Sequence, residues 1–178
     1  MLRTIKYLNM SNAVNLYRYS ATELKTYIFS ALFITGNILL PQLVHLVPQG
    51  GLIFLPIYFF TLLAAYKYGL AAGLTTALLS PVINHLLFGM PPLAVLPVLL
   101  FKSVTLAVFA SLIAAKYRKL SLLLLALAVA GYQLVGGAFE WLYTGEISAA
   151  LQDFTLGWPG MLMQVLGGYV VLKYLLKK

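Results

Sequence analysis

Residues 120 to 143 read LSLLLLALAVAGYQLVGGAFEWLY, and this run decides the fold. About 20 apolar residues carry a helix across roughly 30 Å of hydrocarbon, so a run of this length with Glu140 as its one charged residue predicts a membrane span. The pattern repeats on both sides. Leu93 to Ala115 forms the preceding block, and earlier ones cover about Leu70 to Phe88, Leu52 to Tyr66 and Thr26 to Leu40. A last block covers about Gly157 to Leu176. The blocks predict an all-α integral membrane protein, a six-transmembrane-helix bundle over residues 26–178. Residues 1–25 form a polar, basic segment whose spaced apolar residues, with Arg3, Lys6, Arg18 and Lys25, suit an interfacial helix. That segment lacks the apolar core and small-residue cleavage pattern of a signal peptide.

Composition agrees. Of 178 residues, 62% are hydrophobic and 9% charged, and the mean hydropathy is +0.93. A soluble domain carries about 25% charged residues. Six spans leave no room for a separate soluble catalytic or nucleotide-binding domain, and a chain without cysteine has no disulfide, thiolate metal site or thiol nucleophile. Proline and glycine punctuate the blocks. Pro41 is expected to close the first, before the structured loop PQLVHLVPQGG (41–51). Pro56 lies near the start of the second, where a helix tolerates proline best. Pro81 predicts a kink or break near Ser80 in the third, and GMPP (89–92) a tight turn before the fourth. The longest polar connection is TGEISAALQDFTLGWPG (144–160), which carries Glu146 and Asp153.

The net charge of +8 is an orientation signal. If the N-terminus is inside, every basic residue except Lys102 falls in an inner segment: the N-terminal segment, Lys67, the Lys116, Arg118 and Lys119 group, and Lys173, Lys177 and Lys178. The outer loops hold acids instead. Both termini are therefore expected in the cytoplasm, in the cell's inner membrane, and no nucleic-acid partner is needed to explain the charge. Within the spans, Ser103, Ala107, Ser111 and Ala115 recur every four residues, as do Gly69, Gly73 and Ala77. Such stripes let helices approach closely in lipid, within the bundle or against a partner subunit.

Ionisable groups inside a span point to function, because each costs roughly 2.5 to 3.5 kcal/mol at a helix centre. Lys102 is expected about 14 Å below the outer end of its helix. Glu140 is expected about one turn below the outer end of the next, on one stripe with Gln133, Gly136 and Gly137. Their depths differ by roughly 9 Å on this count, so they either pair through an extended lysine or leave room for water or a ligand. His45, Asn84, His85, Trp158 and Gln164 are also placed toward the outer side. Together these residues suggest an outward-facing pocket for a small molecule. Trp141, Tyr143 and Trp158 also suit an interfacial aromatic belt. Two histidines without carboxylates at ligand spacing make no metal site, and no metal or cofactor is expected. The sequence has no Walker A loop, GxSxG or HExxH, and no pair of acids within one span.

The stretch GGLIFLPIYFFTLLAAYKYGLAAGLTTALLSPVINHLLFGMPPLAVLP (50–97) resembles the substrate-binding S component of energy-coupling factor (ECF) transporters. The resemblance rests on Leu55-Pro56, the small-residue helix start Gly69 to Gly73, Leu79-Ser80-Pro81 and Gly89 to Pro92. It implies a high-affinity binder of a water-soluble vitamin or precursor that is not itself an enzyme. Such a subunit docks on a transmembrane coupling subunit with two cytoplasmic ATPases and topples in the membrane to release substrate. Docking in the family uses two alanines four apart on the first helix; here Ala31 is followed by Thr35. Tyr58 stands where related sequences tend to carry histidine, and Lys102 where many carry an acid. A cationic Lys102 favours a carboxylate or other electron-rich ligand group, unless Glu140 neutralises it. A reading from another class is a small integral membrane enzyme or assembly factor acting on lipids or precursors at the outer surface. Its acid and base would come from His45, His85, Glu140, Glu146 and Asp153, none of which shows a known catalytic spacing. A stand-alone channel fits less well, since the inner half lacks a polar lining.

Overall fold

The computed structural model describes residues 16–175, and every regular element among them is helical. The helices are α1 (Leu24–Val44), α2 (Gly50–Phe54), α3 (Phe59–Tyr68), α4 (Leu70–Phe88), α5 (Leu96–Tyr117), α6 (Leu122–Thr144), α7 (Ile147–Thr155) and α8 (Trp158–Tyr174). Five units are long and apolar enough to cross a membrane: α1, α2 with α3, α4, α5 and α6. Helices α7 and α8, bent by 54° at their junction, make a sixth if the bent pair is counted as one span. This is the architecture of a multi-pass membrane protein.

The bundle is built around α3. Leu62, Leu63, Ala64 and Ala65 have no exposed surface, and nearly every α3 residue is buried, as in a helix enclosed on all sides. Helices α1, α4 and α5 pack against it, and α6 packs on α5. Large apolar side chains such as Leu32, Leu39, Leu86, Leu123, Leu134 and Leu142 point outward, where lipid replaces a core. Inside, small residues set the spacing. A Cβ on Gly73 would lie 2.5 Å from the Ala65 Cβ and 3.3 Å from the Ala107 Cβ, so the glycine and alanine stripes are used within the bundle.

The prolines act differently from expectation. Helix α1 does not close at Pro41 but runs to Val44, with His45 N–H donating to Pro41 O at 2.9 Å. Pro41 has no N–H for the carbonyl of Asn37, one turn back; the Asn84 Nδ2 group donates to that carbonyl instead, at 2.9 Å. Helix α4 likewise runs unbroken through Pro81. A polar network brackets that proline: Asn37 Nδ2 donates to Ser80 Oγ at 3.1 Å and to Thr61 Oγ1 at 3.0 Å, and Asn84 Nδ2 also donates to Ser80 O at 3.0 Å. The real break is at Pro56. Leu55, with φ +46°, separates α2 from the 3-10 turn Pro56–Tyr58, and Asn37 Oδ1 accepts the Phe60 N–H at 3.2 Å. Asn37 thus ties three spans together. Bonds of this kind contribute about 0.6 kcal/mol each in membranes, so Asn37→Leu is expected to lower stability by about 2 kcal/mol, read as thermal unfolding in detergent. Unchanged unfolding would show the network to be incidental.

Two other expectations change. Residues 1–15 of the polar N-terminal segment lie outside the described residues, and residues 16–23 are not helical. Tyr17 and Tyr19 donate their N–H groups to Lys67 O and Tyr68 O, at 2.7 and 3.3 Å, and so satisfy carbonyls that the end of α3 leaves free. Rings stack along this contact, Phe29 on Tyr68 at 4.1 Å and Tyr17 on Tyr68 at 5.8 Å. Lys67, expected in a loop, is buried in the last turn of α3 with its ammonium 5.8 Å from the Tyr17 ring. The connection 144–160 is not a loop either. Its centre folds as α7, which turns Ala150 and Asp153 inward.

Candidate functional site

The polar centre of the protein is assembled on α5, α6 and α7. Lys102 of α5 donates to Glu140 Oε2 of α6 at 2.5 Å and to Asp153 Oδ2 of α7 at 2.9 Å. All three groups are buried. The depth mismatch between Lys102 and Glu140 shrinks to about 3 Å because α5 starts at Leu96, after a turn over residues 93–95 that adds nothing to the helix. Lys102 therefore sits about 9 Å from the start of α5, and Glu140 about 6 Å from the end of α6, at about 1.5 Å per residue.

Room for the lysine comes from a glycine. A Cβ on Gly136 would lie 2.5 Å from the Lys102 Cγ and 3.4 Å from its Cδ and Cε, so the aliphatic stem occupies the space that a side chain at 136 would take. Phe101 and Phe139, each next to one of the paired residues, stack at 4.0 Å and brace α5 against α6. Gly157 is equally tight: a Cβ there would lie 2.9 Å from Leu55 Cδ1 and 2.7 Å from Asp153 O, at the bend between α7 and α8.

Further buried polar groups lie on α6 and α8. Gln133 lies on the Gly136 and Glu140 face of α6, has no exposed surface, and neither its Oε1 nor its Nε2 has a partner. Gln164 of α8, also without exposed surface, accepts the Tyr132 hydroxyl at 3.1 Å and leaves its Nε2 unpaired. The Tyr132 ring meets the Tyr58 ring at 5.2 Å. Buried unpaired amides are uncommon because each loses its hydration without replacement, at about 1 to 3 kcal/mol.

The sequence-predicted residues thus divide. Lys102, Glu140, Gln133 and Gln164 belong to this cluster or its rim. Asn84 does not, since its Nδ2 mends the helix at Pro41 and Ser80. His85 Nδ1–H donates to Pro91 O at 2.8 Å and holds the turn after α4. His45 is exposed at the end of α1, and Trp158 is half exposed at the start of α8. Ala31 and Thr35 are exposed on the outer face of α1, where the Thr35 hydroxyl donates to Ala31 O at 2.9 Å. Asp153, Tyr58 and Tyr132 complete the cluster without having been chosen as ligand groups. The signal for Asp153 was the inward spacing of Ala150, Asp153 and Gly157 at three and four residues, a helical face inside an otherwise polar connection.

Lys102 is neutralised, so it is not a free cation awaiting a carboxylate. Three charged groups at membrane depth are more than a link between two helices needs, and the rim amides add unused hydrogen-bonding capacity. The arrangement can bind and orient a small polar molecule. No protein-family model, curated protein or solved structure matches the chain. Fold and cluster define the class: a helical membrane bundle with a polar centre enclosed among its spans.

Proposed function

We propose that this protein is the membrane-embedded, high-affinity binding subunit of an uptake system of the ECF type, specific for a water-soluble vitamin or related micronutrient. One observation carries the reading: a buried Lys102, Glu140 and Asp153 cluster rimmed by the unpaired amides of Gln133 and Gln164. The distribution of basic residues supports a reading with both termini in the cytoplasm and the cluster toward the outer side of the inner membrane. The resemblance over residues 50–97 supports the same assignment. Energy comes from partners, a transmembrane coupling subunit and two ATPase subunits. Purified protein is expected to bind one water-soluble vitamin or precursor at submicromolar concentration, measured by calorimetry. A complete vitamin panel without a binder would count against the proposal.

The α1 surface around Ala31 and Thr35 is the docking face of this proposal. With its hydroxyl turned onto Ala31 O, Thr35 presents its methyl group, so the pair offers a small, apolar strip on which another helix can close. Thr35→Trp is expected to abolish uptake in cells while leaving ligand affinity within about twofold, because a bulky ring blocks close approach without touching the cluster. Normal uptake by this variant would remove the docking assignment.

A further inference from the structure

Charge and hydrogen-bond accounting at the polar centre narrow the ligand further. Two carboxylates, Glu140 and Asp153, share one ammonium, Lys102. With all three ionised, two carboxylates and one ammonium leave one negative charge in excess among apolar helices, a charge that a bound cation would balance. No other ion pair is formed by Glu140 or Asp153 among the described residues. The rim supplies the second, independent sign. Gln133 is without exposed surface and holds a free acceptor and a free donor side by side, on the same face of α6 as Gly136 and Glu140. Gln164 adds a further free donor. An amide with both ends free pairs with a group that itself presents a donor beside an acceptor, such as the edge of an amino-substituted nitrogen heterocycle. The Tyr58 and Tyr132 rings pack on each other at 5.2 Å, tilted by 46°, and the Tyr132 hydroxyl bonds Gln164, so aromatic faces adjoin the rim amide and suit a flat cationic group.

We infer that the ligand is a cationic nitrogen heterocycle. Its positive charge faces Asp153 and Glu140, and its donor–acceptor edge faces Gln133. The inference rests on the uptake reading and gives it a substrate class. It also reverses what Lys102 alone suggests, because the lysine is occupied and the surplus charge is negative.

The test is binding by the purified full-length protein to the water-soluble vitamins sorted by charge. Thiamine and pyridoxamine serve as cations, riboflavin as a neutral heterocycle, and biotin and pantothenate as anions. A cationic probe is expected to bind at least about 100-fold more tightly than any anionic one, about the ratio expected of two charge-assisted contacts. Asp153→Asn, which keeps size and leaves the Lys102–Glu140 pair in place, should weaken that probe at least about tenfold, and Gln133→Leu by a similar factor. A tightest binder that is anionic, or cation affinity indifferent to Asp153→Asn, overturns the inference and leaves the uptake reading standing. Absence of binding across every charge class overturns the uptake reading, and the inference with it.

Discussion

Lys102→Met is expected to lower the stability of the bundle by about 3 kcal/mol, because it leaves two buried carboxylates facing each other without a counter-ion. For a chain of this size the change corresponds to a fall of about 6 to 12 °C in the unfolding midpoint. The charges, rather than the packing of the lysine stem, are responsible on this account. Methionine keeps most of the stem that lies against Gly136, so lost contact area is a minor part. The decisive control is the triple change Lys102→Met, Glu140→Gln and Asp153→Asn, which removes all three charges and should recover most of the loss. If the triple variant is as unstable as the single one, packing is the cause. The single variant should also change ligand affinity at least about tenfold, because the lysine that holds Glu140 and Asp153 in place is gone. Unchanged affinity with lowered stability would make the cluster a helix clamp and nothing more.

The second large effect is expected at a residue with no polar atoms in its side chain. Gly136→Val places a Cβ 2.5 Å from the Lys102 Cγ, and the added methyl groups then extend into the path of the stem. The lysine must swing away from Glu140 or Asp153, and either movement strands a carboxylate. Overpacking of this kind costs about 1 to 3 kcal/mol before the lost ion pairing is counted. Ligand affinity should fall more than tenfold, while Gly131→Val, on the same helix but against the Phe109 ring, should affect stability without the same loss of binding. Thermal unfolding and calorimetry on both variants separate the outcomes. Equal affinities in the two would mean that Gly136 only sets helix spacing.

The bundle was legible because apolar runs of span length are hard to read any other way, and because glycines such as Gly89 (φ +67°) and Gly145 (φ +75°) end α4 and α6 close to where the sequence changes character. Proline was the less reliable guide. Its missing N–H breaks a helix only when nothing else can serve the stranded carbonyl, and at Pro41 the side chain of Asn84 from another span serves it. That partner is 43 positions or more away in the chain, beyond any local pattern. For the same reason Asn84 reads as a ligand group in sequence, whereas its Nδ2 serves Asn37 O and Ser80 O.

Of the site, the Lys102 and Glu140 pairing was readable from charge at membrane depth. Asp153 was not, because its helix α7 has a mixed polar and apolar sequence that resembles a surface connection until its inward face is traced. The small shift in where α5 begins also mattered. Three residues spent in a turn moved Lys102 from a depth where a pair with Glu140 needed an extended lysine to one where the two bond readily.

The central claim is that the polar centre holds a small, soluble nutrient. Mass spectrometry of the intact protein, purified gently from cells grown in rich medium, tests it most directly. One small molecule per chain, identified as a water-soluble vitamin or precursor and absent from the Gly136→Val variant, is the predicted result. A chain carrying only lipid, or the same adduct in both proteins, would contradict it.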